Sequence, residues 1–265
     1  MTSGPDSEHG GRPAVLTALA EGFRDAIVVV AGGRGGIGRE VVRQVAALGG
    51  RTIVLSSREG AERLDRACFE RDGNVTLRAD IRMPGELRHV ATEVDAAVGR
   101  VDLLVNSAGS STQVPLRRIE ALTDELVADV FDTNAIGVLT TIREFVPLLR
   151  KGRDPVIVNI GSVAAWTGQG SNLAYVGAKA AVDAMSIGLA KALAPEIRVV
   201  GVAPSALETD FVKGRGPDFL EATIKATPLR RLTTVQEVAS AVLCAARVLT
   251  ATTGVTIAVD GGRHL

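Results

Sequence analysis

Apolar residues along this chain follow two alternating rhythms. Short, continuous, β-branched runs alternate with longer stretches in which apolar positions recur every three or four residues. The short runs predict strands at 26–31 (AIVVVA), 51–57, 74–80 and 101–109, then at 154–162, 196–205 and 254–262. The longer stretches predict helices over 36–49, 60–72, 84–99, 122–150, 172–194 and 234–249. Gly49-Gly50 and Gly73 stop the first two, and Pro84 opens the third.

A strand that is apolar throughout needs cover on both faces, which a parallel sheet with helices on each side supplies. The expected fold is therefore α/β: one doubly wound parallel sheet of seven strands in a single domain over 26–265. Residues 1–25 read as a flexible N-terminal extension. Within them 14–25 admits either a short helix or an irregular lead-in. Gly214, Gly216, Pro217 and Pro228 break up 206–232, so a mobile loop at about 206–226 is expected to cover the substrate.

Composition narrows the function. The 265 residues are 46% hydrophobic and carry 30 basic and 30 acidic side chains. Such a balance argues against nucleic acid or an anionic membrane as partner. Cys68, Cys244 and the three histidines are scattered without metal-ligand spacing, so no metal is expected. The start is polar, and the apolar run at 26–31 is too short to span a bilayer, so a soluble cytoplasmic protein is expected.

Two constellations carry chemistry. Tyr175, the sole tyrosine, and Lys179 lie one turn apart on one helix face. An ammonium beside a phenol favours the phenolate and lowers a pKa that is about 10 unperturbed. Such a tyrosine serves as general acid or base near neutral pH. A surface Tyr and Lys sharing a face would show the same spacing. The second constellation is AGGRGGIGRE, which follows the first strand and opens the first helix. Gly32, Gly36 and Gly38 let the backbone approach a pyrophosphate at a helix N-terminus, with Arg34 and Ile37 in the same turn.

The Gly-x-x-x-Gly-Ile-Gly spacing, Asn106-Ser107-Ala108-Gly109, Asn134, Ser162, Tyr175 and Lys179 together resemble the short-chain dehydrogenase/reductase family. The resemblance covers about residues 25–262 and implies a Rossmann-type sheet and hydride transfer between nicotinamide C4 and a carbonyl or alcohol carbon. It implies that Tyr175 moves the proton, Ser162 holds the substrate oxygen, Lys179 also bonds the nicotinamide ribose, and Asn134 positions a water. Asp80 would meet the adenine amino group, with Ile81 flanking the ring. Asn106, Ala108, Gly109 and Pro204 belong to the same cofactor surface, and Thr209 would hold the nicotinamide carboxamide. Departures from the family pattern are Ala31, Ser107, Gly161 and Ser205, in place of Thr, Asn, Ser and Gly.

No acid stands where the second strand ends in Leu55-Ser56-Ser57-Arg58, although Glu59 follows. Ser57, Arg58 and Arg34 suit a 2′-phosphate, so NADP(H) is expected over NAD(H). The expected reaction interconverts a ketone and a secondary alcohol, with 3-oxoacyl thioester reduction among the forms it admits. NAD-dependent oxidation of a cyclic diol or hydroxysteroid-like alcohol is the alternative, ahead of a non-catalytic nucleotide sensor. Enoyl reduction is disfavoured, because similar enoyl reductases carry a wider Tyr-to-Lys spacing. Phe211, Val212, Phe219 and Leu220, with Trp166, are candidates for an apolar substrate wall. The resemblance further implies a homo-oligomer, tetramer or dimer, built on helices 122–150 and 172–194 and the final helix and strand.

Overall fold

The computed structural model describes residues 14–58, 64–209, 211–213 and 217–265. The chain opens with α1 (Ala14–Phe23), β1 (Ile27–Ala31), α2 (Gly36–Ala47) and β2 (Arg51–Ser56). It continues through α3 (Arg66–Asp72), β3 (Asn74–Arg78), α4 (Pro84–Val98), β4 (Leu103–Asn106) and the short β5 (Ser111–Thr112). Then follow α5 (Asp124–Phe131), a π-turn (Asp132–Ile136), α6 (Gly137–Leu149), β6 (Val156–Ile160), α7 (Ala164–Thr167) and α8 (Leu173–Leu193). Last come β7 (Arg198–Pro204), β8 (Val212–Lys213), α9 (Pro217–Ala226), α10 (Val235–Arg247) and β9 (Thr256–Val259).

Seven strands form one parallel sheet in the order β3-β2-β1-β4-β6-β7-β9, while β5 and β8 pair separately. Alternate residues of β1, β4 and β6 feed opposite cores, which is why these strands read as unbroken apolar runs. Ile27, Val29 and Ala31 face Leu87, Ile142, Phe145 and Val182 from α4, α6 and α8. Val28 and Val30 face Val41 and Val45 of α2 and Val238 and Val242 of α10. Strand order reverses between β1 and β4, the place where such sheets open a crevice at their carboxyl ends.

Three sequence expectations change here. Residues 14–23 form a helix packed on α10, with Phe23 fully buried, so the expected 1–25 extension is ordered from Ala14 onward; 1–13 lie outside the described residues. The helix expected over 122–150 is divided by the π-turn, whose extra residue per turn re-aims Asn134. The helix expected over 60–72 is seen from Arg66; residues 59–63 lie outside the described residues. α8 is long and apolar enough to cross a bilayer, with mean hydropathy 1.3, yet here it packs against β7 and α5.

The amino-terminal edge of the sheet is held by a buried carboxylate. Asp102, 1% exposed, accepts hydrogen bonds from the Ile27 N–H at 2.8 Å and the Arg153 N–H at 2.6 Å, and pairs with Arg100. Nearby, buried Arg247 donates to the carbonyls of Gly22, Asp154 and Asp102 and lies over the Phe23 ring, pinning α1 to the sheet. Asp102→Ala leaves two main-chain donors without their acceptor, so a loss of about 2–4 kcal/mol is expected. Urea unfolding measures it; an unchanged midpoint would show that this carboxylate is dispensable.

Candidate active site

At the carboxyl edge, the turn after β1 brings main chain against main chain. Gly32 has φ +78°, and a Cβ there would stand 2.6 Å from the Ala108 backbone. A Cβ on Gly38 would meet the Gly32 carbonyl at 2.5 Å and the Ser107 hydroxyl at 2.6 Å. Gly36 faces Thr209, whose methyl would be 3.0 Å from such a Cβ. No side chain caps α2, whose N-cap is Gly35, so its first N–H groups remain open to an anion. This cradle fits a dinucleotide pyrophosphate, with Ile37 packed beneath it.

A continuous cleft of about 1990 Å³ runs from this cradle in two directions. Toward the end of β2 it is lined by Arg34, Ser57 and Arg58, and also by Arg39 and Arg43 of α2. Sequence reading missed the last two because they look like the solvated face of an amphipathic helix. Asp80 and Ile81 line the same end. The Asp80 carboxylate is gripped by Arg82, with contacts of 2.7–3.1 Å, and that cation holds its pKa down. Arg82 also bonds Asp129 at 3.0 Å, so an arginine absent from the sequence reading borders this end. Ile81 is buried against Gly137.

In the other direction lie Ala108, Gly109, Ser162, Tyr175, Lys179, Pro204 and Thr209. Ser162 ends the β6 segment, and its hydroxyl accepts from the Ala164 N–H at 3.2 Å. Asn172 caps α8 by accepting from the Tyr175 N–H at 2.7 Å, which fixes the turn carrying the phenol. The Asn172 amide donates to the Thr112 carbonyl and the Ser111 hydroxyl, and Ser111 bonds Ser171. The Lys179 ammonium is buried, donates to the Ile160 carbonyl at 2.8 Å and sits 5.8 Å from the centre of the Tyr175 ring. Burial drives its pKa down to about 8, opposed by the Asp183 carboxylate. Asn134 is fully buried and donates to the carbonyls of Ser110 and Val130; its Oδ1 has no partner and faces Gly109.

Two expected residues sit differently. The Asn106 side chain does not reach the cleft: its amide donates to Asn159 Oδ1 at 2.8 Å between β4 and β6, and the Asn159 amide donates onward to the Ser186 hydroxyl at 2.9 Å. Trp166 turns away from the substrate wall, donating to Asp183 at 2.8 Å and meeting the His264 ring edge-on. Phe211, Val212 and Phe219 do line the cleft, and Phe211 lies edge-on to Tyr175 at 5.8 Å; Leu220 is not among the lining residues. Arg263 and His264 join them.

A glycine-cradled switch-point crevice beside a phenol–ammonium pair defines a nicotinamide-dependent oxidoreductase. Comparison with known proteins agrees: the family described as "Enoyl-(Acyl carrier protein) reductase" matches residues 31–264. The 3-oxoacyl-[acyl-carrier-protein] reductase FabG of Escherichia coli is 31% identical over 250 residues, 92% of this chain and 99% of that one. The cis-2,3-dihydrobiphenyl-2,3-diol dehydrogenase of Pseudomonas sp. KKS102 is 34% identical over 80% of this chain and 77% of its own. The Pseudomonas aeruginosa RhlG/NADP active-site complex superposes with a TM-score of 0.80 at 28% identity, covering 92% and 98% of the two chains. The chain belongs to the short-chain dehydrogenase/reductase family and is an oxidoreductase of CH–OH/C=O groups that uses NAD(P).

The buried ammonium has a stability signature. The unfolded chain keeps the lysine proton to about pH 10.4, whereas the folded protein releases it near 8. Between these values the unfolded state binds more protons, so stability rises with pH. Wild-type stability relative to Lys179→Met should therefore rise by about 1–3 kcal/mol between about pH 7 and pH 10. Melting of both proteins across this range decides; a difference that stays constant with pH would contradict the cost assigned to the charge.

Proposed function

We propose that this protein is an NADP(H)-dependent reductase of a ketone with an apolar body, run in reverse as a secondary-alcohol dehydrogenase. What carries the reading is the placement of Ser162, Tyr175 and Lys179 along one arm of the cleft that extends from the glycine cradle. The nicotinamide, when bound, supplies or accepts the hydride. Every other part of the work falls to side chains. A carbonyl carbon receiving hydride leaves negative charge on its oxygen. The Ser162 hydroxyl donates a hydrogen bond to that oxygen, and the Tyr175 phenol delivers the proton. Lys179 lowers the phenol pKa and bonds the nicotinamide ribose. The unpartnered Oδ1 of Asn134 is suited to hold a water leading from Lys179 toward solvent.

The cofactor cradle uses Gly32, Gly36, Gly38 and Ile37 at the pyrophosphate, Asp80 and Ile81 at adenine, and Thr209 at the carboxamide, with Pro204 lining the same surface. Preference for NADP(H) is supported by Arg34, Ser57 and Arg58 at the end of β2, with Arg39 adding positive charge, and by the NADP named in the P. aeruginosa complex. Ketone reduction is favoured over enoyl reduction by the four-residue Tyr175–Lys179 spacing. Similarity to FabG brings 3-oxoacyl thioesters among the substrates. The similarity to a dihydrodiol dehydrogenase supports the second reading, NAD-dependent oxidation of a cyclic diol. We place the protein in the cytoplasm as a homo-oligomer; the exposed Ile136, Leu139, Leu173 and Ile187 suit helix pairing between copies.

A panel of ketones and alcohols with NADPH and NADH tests this directly. Reduction should be faster with NADPH, and Tyr175→Phe should lower kcat by about 10²–10⁴-fold. Arg58→Ala should raise the Kd for NADPH by roughly tenfold while leaving NADH unchanged. Near-native turnover by the Tyr175 variant would remove the proposed mechanism, and equal loss of both cofactors would remove the 2′-phosphate role.

A further inference from the structure

One turn beyond Lys179 on the same face of α8 stands Asp183, an acid that the family pattern quoted above does not include. Its carboxylate is tied to two other elements. Oδ2 accepts from the Trp166 indole of α7 at 2.8 Å, and Oδ1 accepts from the Thr256 hydroxyl of β9 at 3.0 Å. Two glycines make the room. A Cβ on Gly161 would stand 3.2 Å from Asp183 Oδ1, and one on Gly201 would stand 2.3 Å from the Thr256 hydroxyl. Gly161 replaces the first of two serines in the family pattern, so the missing side chain and the added acid occupy one space.

We propose that Asp183 is a positioning residue for the proton-transfer pair: it is the fixed counter-charge of the Lys179 ammonium and ties α8 to the segment that bears Ser162. This rests on the reading of Tyr175 and Lys179 as that pair. The surroundings leave few competitors. Packed about the two charges are the Trp166 indole, the Thr256 hydroxyl, the Ile160 carbonyl and the Tyr175 phenol, of which only the phenol titrates. Farther out, His264 meets the Trp166 ring and is itself bonded to Asp260 at 2.7 Å. Burial disfavours both charged forms, raising Asp183 and lowering Lys179, and each acts against that shift in the other. The lysine can thus stay cationic near neutral pH although it is buried. Trp166, 43% exposed, lies just after Ser162, so the same carboxylate ties the serine's segment to the helix bearing the phenol.

The test is Asp183→Asn, which keeps an oxygen acceptor and removes the charge. The chain has five lysines, so ¹³C NMR of labelled lysine side chains follows Lys179 in the cofactor-free protein, assigned with Lys179→Arg. Its titration midpoint should fall by about one unit in the Asn variant. The alkaline limb of the ketone-reduction pH profile should move down with it, since loss of a negative charge makes the coupled pair release its proton earlier. Asp183→Glu should restore both. Asp183→Ser, also uncharged, gives the same reading if the Asn variant does not fold. An unchanged Lys179 midpoint overturns the proposal even if the variant is slow, because a purely structural tie would lower kcat without moving the titration. If the midpoint falls as stated while the wild type reduces no ketone in the panel, the counter-charge stands and the reductase reading fails.

Discussion

A buried ammonium is the constraint on which this structure turns. Lys179 lies inside the protein at the end of β6, and removing its charge from water costs several kcal/mol unless neighbours compensate. The Ile160 carbonyl receives one of its protons, and Asp183 offsets the charge from one turn away. Neither suffices alone, and the ammonium remains easier to deprotonate than a solvated lysine. It is held in place because α8 is fixed at its start by Asn172 and along its length by β7 and α5. Stability is thus given up locally for the ammonium that the proposed mechanism uses.

The two edges of the sheet divide the labour. At the amino-terminal edge, Asp102 and Arg247 satisfy buried backbone groups and lock α1 and the strand starts together. At the carboxyl edge, backbone is left bare. The glycine turn, the uncapped start of α2 and the Oδ1 of Asn134 leave polar groups without partners among the described residues. A rigid lower edge lets the upper one keep open hydrogen-bonding groups without collapsing on them.

Much of this was legible in the sequence because the signals were physical. The short β-branched runs, bounded by turn residues, mark strands, and all seven lie in the sheet. Glycines at 32, 36 and 38 announce close backbone approach, which the clash distances explain. What stayed hidden depends on partners distant in sequence. Helix α1 buries chiefly Phe23 and owes its place to α10, more than 200 residues away, so its local pattern is weak. The π-turn at Asn134 leaves no periodic trace. Asn106 looked like a cleft residue, but Asn159 on the neighbouring strand claims its amide. Asp183 carries no signal in the sequence, and only the fold shows Trp166 and Thr256 closing on it.

The central claim is that a hydride passes between a nicotinamide in this cleft and a carbonyl carbon held at Ser162 and Tyr175. Incubation of the protein with a ketone and NADPH deuterated at C4 on either face, followed by mass spectrometry of the alcohol, measures that transfer directly. One of the two labelled cofactors should deliver its deuterium to the carbinol carbon and the other should not. An alcohol formed without label from either, or no alcohol from any ketone tried, would contradict hydride transfer at this site.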